Sequence, residues 1–208
     1  MKLEINKTSI KDAIKFLEKD DILGKYVKNI EPPKININED YFFSLCRYII
    51  FQQLSIKSAS ATFLRFTSLL DNNVSAEQVL KQTEIKLKNT GMSLRKVEYL
   101  RILSQSFIDN SSFVDLKKMS NDDVIKTLSS IKGIGTWTSE MFLIFSMGRI
   151  DVFSNKDIGL LNAIQIIYDL DERPNFDEAN KLAKRWIPYR TVASLYLWKI
   201  LEGEDFDW

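Results

Sequence analysis

The sequence predicts an all-α protein built as two helical lobes. Three observations carry that expectation. Apolar residues recur three and four positions apart through most of the 208-residue chain, the spacing that gathers them on one face of a helix. No segment sustains the two-residue alternation of a half-buried strand. Ser and Asp residues stand just ahead of the apolar runs, where a side-chain oxygen satisfies the first unpaired N–H groups of a helix. Hydrophobic residues make up 45% of the chain and aromatic residues 12%, enough for a sizeable core.

Tyr41 to Phe51, the first element, carries Phe42, Leu45 and Ile49 on one stripe, with Phe43 and Ile50 beside it. Ser55 caps a second helix bearing Ala59, Phe63, Phe66 and Leu70. Ser75 followed by Gln78 is a capping-box pattern that opens a short helix. Gly91 breaks the chain, and Ser93 caps a helix with Val97, Leu100, Leu103 and Phe107 inward. Ser120 with Asp123 starts a helix that runs into Gly133-Ile134-Gly135, and Trp137 to Met147 is helical and strongly apolar. Asp157 begins a helix with Leu160, Leu161, Ile164 and Ile167, and Pro174 closes that region. Phe176 to Trp186 is helical, Pro188 interrupts, and Tyr189 to Leu201 forms the last helix. One lobe is expected to span residues 40–148, the other to join 1–39 to 149–208, with a groove between them as the natural ligand site.

Composition excludes several chemistries. With one cysteine, Cys46, and no histidine, the chain itself cannot build a disulfide framework, a cysteine zinc site, a four-cysteine iron–sulfur cluster or any imidazole triad. Cys46, between Leu45 and Arg47 in an apolar helix, reads as a small core residue. Catalysis is left to carboxylate, Lys, Tyr, Ser or backbone groups. The opening MKLEINKTSIKDAIKFLEKD is charged throughout, and no run approaches the ~18 apolar residues of a membrane helix. The expected setting is therefore intracellular, the cytoplasm or nucleoid, or the nucleus in a eukaryote. Net charge is +1, yet residues 41–160 carry 15 Lys and Arg against 11 Asp and Glu, and the EGEDFDW tail is acidic. Excess positive charge thus lies in the segment that holds the glycine turn.

Glycine at 133 and 135 lets two helices meet in a sharp turn, because glycine tolerates positive φ. The following helix opens with N–H groups pointing outward, and these favour an anion such as phosphate. Without Cβ atoms a strand can come close, contacts of the kind that position nucleic acid without reading its sequence. Lys132 adds a positive charge and Thr136 opens the helix beyond. By the G-x-G pattern alone an ordinary tight helix–helix turn is the favoured reading, and it is the surrounding sequence that shifts the balance.

The context resembles the helix-hairpin-helix-GPD superfamily of DNA glycosylases, and within it the DNA-3-methyladenine glycosylase II family. Three blocks carry the likeness: Phe51-Gln52-Gln53-Leu54-Ser55 with the helix after it, Ile131 through Gly159, and Trp186-Ile187-Pro188-Tyr189-Arg190-Thr191-Val192-Ala193 with Tyr196-Leu197-Trp198. Gly91-Met92-Ser93 with Lys96 and Leu100 is a weaker fourth. The resemblance covers residues 40–200 and leaves the first forty unmatched.

It implies a two-lobed helix-hairpin-helix fold with the active-site cleft between lobes. Asp157 is implied as the catalytic carboxylate that stabilises positive charge on the deoxyribose and orients water, although by local sequence N-capping serves equally well. Trp137 and Trp198 are implied as walls of the base pocket, with Met141 one turn after Trp137 sharing it. Aromatic faces attract cationic bases by about 0.5–2 kcal/mol each. Leu54 matches a wedge that fills the stack after a base leaves it, although simple core packing suits it equally well, and Gln53 holds the turn or meets the opposite base. The DNA-binding set is Lys132, Gly133, Ile134, Gly135, Thr136, Gln53, Leu54 and Ser55, with Lys57, Arg95 and Lys96 as further contacts and Lys156 as a phosphate contact or solvated charge. Asp151 is expected to organise its loop and Arg190 to brace the lobe. In the iron–sulfur relatives resembling endonuclease III a lysine stands at the position of Trp137 and forms a Schiff base. Tryptophan cannot, so a monofunctional enzyme is expected.

The absence of histidine bears on substrate, since a neutral purine leaves best with a proton donor while a cationic alkylated base needs none. The expected activity is excision of 3-methyladenine, with 7-methylguanine and 1,N6-ethenoadenine as further substrates, by a monomer acting on damaged double-stranded DNA. No cofactor or catalytic metal is required. A monovalent cation on the hairpin carbonyls is a further element implied by the resemblance. The alternatives are a hairpin glycosylase for deaminated or oxidised bases and a non-catalytic DNA-binding hairpin module.

Overall fold

The computed structural model describes residues 5–109 and 116–203, so Trp208, which sequence leaves unassigned, and most of the acidic tail lie outside them. Among the described residues the structure is helical and contains no strand. The helices are α1 (Lys7–Leu17), α2 (Leu23–Asn29), α3 (Tyr41–Phe51), α4 (Ile56–Leu69), α5 (Ala76–Lys81) and α6 (Glu84–Asn89). They continue with α7 (Leu94–Asp109), α8 (Asn121–Ser129), α9 (Thr136–Phe145), α10 (Ile158–Ile167), α11 (Phe176–Ala183) and α12 (Arg190–Glu202). No described helix is long and apolar enough to cross a membrane.

The chain divides into two compact units, Asn38–Phe142 and Met1–Ile37 with Leu143–Trp208, so the division falls inside α9. In the first unit α7 packs on α3, α5 and α6. Helix α3 starts where Asp40 Oδ1 accepts from Phe43 N–H at 3.0 Å and buries Phe42, Leu45, Cys46, Ile49 and Ile50. Complete burial pushes the Cys46 thiol pKa well up, in keeping with an inert core residue. Val97, Leu100 and Leu103 of α7 face the same core. Edge-on ring pairs, Phe43–Phe63 and Phe42–Phe107, both 5.1 Å between centroids, complete it.

In the second unit α12 packs against α1, α2 and α10. Every residue from Thr191 to Trp198 is buried, which explains why this segment is apolar on all sides instead of striped. Leu160, Leu161, Ile164 and Ile167 of α10 face it as their spacing predicts. Helix α1 is an addition to the elements expected from sequence, although its signal is present: Asn6 accepts from Thr8 and Ser9 N–H, and Ser9 Oγ accepts in return from Asn6 N–H. The single short helix expected after Ser75 is two, because Thr83 caps a second one through Lys86 N–H at 3.3 Å. Phe176 to Trp186 is helix only to Ala183, then one 3-10 turn.

Candidate active site

In the first unit the glycine turn joins α8 to α9. Gly133 has φ +97°, and a Cβ there would overlap the ring of Tyr99. Gly135 has no positive φ, and a Cβ would meet nothing within 4 Å. The two glycines therefore answer different needs: the first satisfies the backbone and Tyr99, while the second keeps open space on an exposed surface. Ile134 is buried and its N–H donates to the Ile131 carbonyl at 3.0 Å, so its side chain anchors the turn from within. Thr136 is exposed at the start of α9, whose first-turn N–H groups precede any carbonyl four residues back within the helix.

Lys132 is exposed but pairs with Glu98, whose hydrogen bond and charge raise the ammonium pKa. A phosphate must compete with that carboxylate. We expect Glu98→Gln to tighten DNA binding about two- to fivefold at low ionic strength, with the gain fading above ~0.3 M salt. A salt titration of Kd checks this, and an unchanged Kd at all salts would remove Lys132 from the contact set.

The turn between α3 and α4 is held from three sides. Lys96 Nζ donates to the carbonyls of Ile50 at 2.7 Å and Gln52 at 2.8 Å, closing the C-terminus of α3, and burial lowers the pKa of this lysine. Lys96, half-buried, is thus tied to the protein's own carbonyls, a role in addition to the DNA contact expected from sequence. Gln52 Nε2 donates to the Gly133 carbonyl at 2.9 Å and to Thr138 Oγ1 at 3.0 Å. It is thus Gln52 that ties the turn, while Gln53 is exposed at φ +56°. Ser55 Oγ caps α4 by accepting from Ser58 N–H at 3.4 Å. Leu54 is 44% exposed at the tip, which removes core packing as its role. Trp137 is half-buried on α9, whereas Met141 one turn on has no exposed surface. Met141 can back Trp137 but reaches a ligand only if its neighbours shift.

In the second unit the loop before α10 is clamped to the start of α12. Arg190 Nε and a terminal nitrogen donate to Asp151 Oδ1 and Oδ2 at 2.7 and 3.0 Å, the two-pronged geometry of a guanidinium on a carboxylate. Thr191 Oγ1 donates to the Arg149 carbonyl at 2.7 Å and accepts from Val152 N–H at 3.0 Å. Val152 and Phe153 are buried, Phe153 edge-on to the fully buried Trp186. The loop thus delivers Asp157 from a fixed base.

Asp157 caps α10 and remains partly exposed. Its Oδ1 accepts from Leu160 N–H at 2.9 Å and from Trp198 Nε1 at 3.0 Å. Trp198 is buried and packs its ring 5.9 Å from that of Phe145, so its N–H orients the carboxylate. At Gly159 a Cβ would lie 3.1 Å from Asp157 Oδ1 and 3.3 Å from Trp198 Cδ1, so any side chain there would press the carboxylate or the indole aside by a few tenths of an ångström. Glu202, one turn beyond Trp198 on α12, is a second carboxyl near this site. Burial, and then the Asp157 charge, push its pKa up. Sequence reasoning misses Gln52 and Glu202. The first stands next to the residue chosen, and the second lies 45 positions from its partner.

No cluster of metal-ligating side chains occurs among the described residues. The Ile131 and Gly133 carbonyls already accept from Ile134 N–H and Gln52. A monovalent cation at the hairpin would use their second lone pairs.

Residues 46–189 match the family model described as HhH-GPD superfamily base excision DNA repair protein. The chain belongs to this superfamily. The matched span includes the Leu54 turn, the glycine hairpin and Asp157. DNA-3-methyladenine glycosylase 1 of Schizosaccharomyces pombe is 31% identical over 188 residues, 88% of this chain and 82% of that protein. The solved S. pombe 3-methyladenine DNA glycosylase in complex with abasic DNA matches with a TM-score of 0.86 and 29% identity, covering 95% of this HhH-GPD chain and 100% of the other. A crystal structure of DNA-3-methyladenine glycosidase from Bacillus halodurans matches at a TM-score of 0.79 and 33% identity, over 97% of this chain and 92% of that one.

Proposed function

We propose that this HhH-GPD protein is a monofunctional DNA glycosylase that extrudes alkylated purines from double-stranded DNA and hydrolyses their N-glycosidic bonds. The observation that carries the reading is Asp157, a partly exposed carboxylate whose Oδ1 is held by the Trp198 and Leu160 N–H groups. As the bond from C1′ to the base lengthens, positive charge grows on the sugar, and a carboxylate fixed beforehand stabilises that charge without reorganising. Water then attacks C1′, with Asp157 orienting it. A cationic base such as 3-methyladenine departs as a neutral molecule and needs no acid, which suits a chain with no histidine. Trp137 offers a π-face to a cationic base, with Met141 one turn further along α9, and in the other unit the buried Trp198 orients Asp157.

Schiff-base lyase chemistry requires a nucleophilic amine at the sugar, and the indole nitrogen of Trp137, its lone pair tied into the ring, is not one. The exposed Gly135 and Thr136 present α9 to a phosphate, with Lys132 beside them. The protein acts as a monomer inside the cell. The test is incubation with alkylated duplex DNA, with free-base release and strand nicking scored separately. Release of 3-methyladenine without nicking supports the reading. Nicking in step with release refutes monofunctionality, and activity confined to deaminated or oxidised bases refutes the substrate class.

Leu54 fills the stack vacated by the extruded base, offsetting part of the few kcal/mol that extrusion costs. Leu54→Ala is expected to weaken affinity for lesion-containing DNA about tenfold, since ~1.4 kcal/mol of lost apolar contact is one decade. Its Tm should stay within about 2 °C of the parent, because the side chain is largely outside the core. A fall in Tm without a fall in affinity would return Leu54 to a packing role.

A further inference from the structure

We propose that Gln52 is a positioning residue for base extrusion: by bridging the Leu54 turn to the Gly133 hairpin, it fixes the spacing between the side chain that enters the stack and the clamp on the strand. The inference rests on the glycosylase reading and deepens it. Gln52 commits both amide hydrogens to groups more than eighty residues away, the Gly133 carbonyl at 2.9 Å and Thr138 Oγ1 at 3.0 Å. Its own carbonyl accepts from Lys96 Nζ at 2.8 Å, and the same ammonium holds Ile50. The residue is therefore fixed through its side chain by the hairpin and through its backbone by α7.

The next three residues of the chain are the ones that need this fixing. Gln53 takes φ +56°, a left-handed conformation that non-glycine residues adopt only when their surroundings enforce it. Leu54 N–H reaches back to the Phe51 carbonyl at 3.3 Å, and Ser55 is committed to capping α4. With both ends of the reversal tied, Leu54 is presented outward before any DNA arrives. A loop that must order itself on binding loses part of its contact energy to that ordering, and a preorganised loop keeps it. Because the tie ends on the hairpin itself, wedge and clamp engage the duplex as one body.

A double-mutant cycle separates this role from simple support. Duplex DNA carrying 7-methylguanine, a cationic base, beside 2-aminopurine reports extrusion as a rise in fluorescence, and single-turnover excision is followed on the same duplex. The proteins are the parent, Gln52→Ala, Gln52→Glu, Leu54→Ala and the double variant Gln52→Ala with Leu54→Ala. The expected result is about a tenfold loss of the extrusion signal for Gln52→Ala when Leu54 is present. In the Leu54→Ala background the same change should cost less than twofold. Gln52→Glu, which keeps the length but turns a carboxylate oxygen toward the Gly133 carbonyl, should lose at least as much as Gln52→Ala. Equal losses in both backgrounds, including losses through poor folding, overturn the inference, as does a Gln52→Glu variant that behaves like the parent. A parent protein that neither extrudes nor excises any alkylated purine overturns the glycosylase reading and this inference with it. Excision by the parent alongside additive losses overturns only the inference.

Discussion

Asp157→Asn is expected to slow excision of alkylated purines by about 100-fold or more while leaving the fold and DNA affinity intact. Asparagine is as good an N-cap as aspartate, so its side-chain oxygen can still accept from Leu160 N–H and Trp198 Nε1, the two donors that hold Asp157 Oδ1. The substitution removes the charge and keeps the geometry. If Asp157 were there only to start α10, nothing measurable would change. If it stabilises the developing sugar cation, the loss matches the scale of deleting a preorganised electrostatic group, roughly 2.7–4 kcal/mol. Single-turnover base release gives the rate, and binding to abasic-site DNA should stay within about threefold of the parent. As an internal control, the Glu202 titration midpoint should fall in the variant, because Asp157 is one of the two causes that raise it. Undiminished turnover would sink the catalytic assignment.

Gly133→Ala should cause the largest loss of stability in the hairpin. Alanine at φ +97° costs about 1–2 kcal/mol, and its methyl group would have to displace the Tyr99 ring, an overpacking cost of about 1–3 kcal/mol. The combined ~2–5 kcal/mol predicts a Tm drop of roughly 4–20 °C for a chain of this size. Because the Gly133 carbonyl holds Gln52, DNA affinity should fall as well. Gly135→Ala is the contrasting case. Its methyl meets nothing in the protein, so Tm should move by less than about 2 °C, whereas affinity should fall about tenfold if a strand lies against that glycine. Calorimetry and a binding isotherm on the two variants decide it. Equal behaviour of the pair would mean that both glycines serve only the fold.

The helices whose signals are local are legible in the sequence. Ser55, Ser75, Ser93, Ser120 and Asp157 each accept from an N–H three residues on, as capping chemistry requires. The same chemistry marks Asn6, in a stretch of forty residues where no familiar pattern draws attention to it. The choice between Gln52 and Gln53 is not legible. Adjacent glutamines are equivalent on paper, and only the left-handed backbone at Gln53 turns one inward and the other out. The inward tie of Lys96 is hidden for a related reason, since a lysine in a basic segment is usually solvated and its partial burial depends on two carbonyls supplied by a distant helix end. The Trp198–Asp157 bond spans 41 positions, and no local periodicity encodes it. A family resemblance points to both residues but not to their direct contact.

Helix α12 carries two duties on one segment. Its interior from Thr191 to Trp198 is sealed within the unit, and its last sealed side chain steers Asp157. Natural variation along this helix is thus filtered twice, once for volume and once for the aim of an oxygen. A substitution that shrinks or swells this sealed interior therefore reaches the carboxylate as well as the fold.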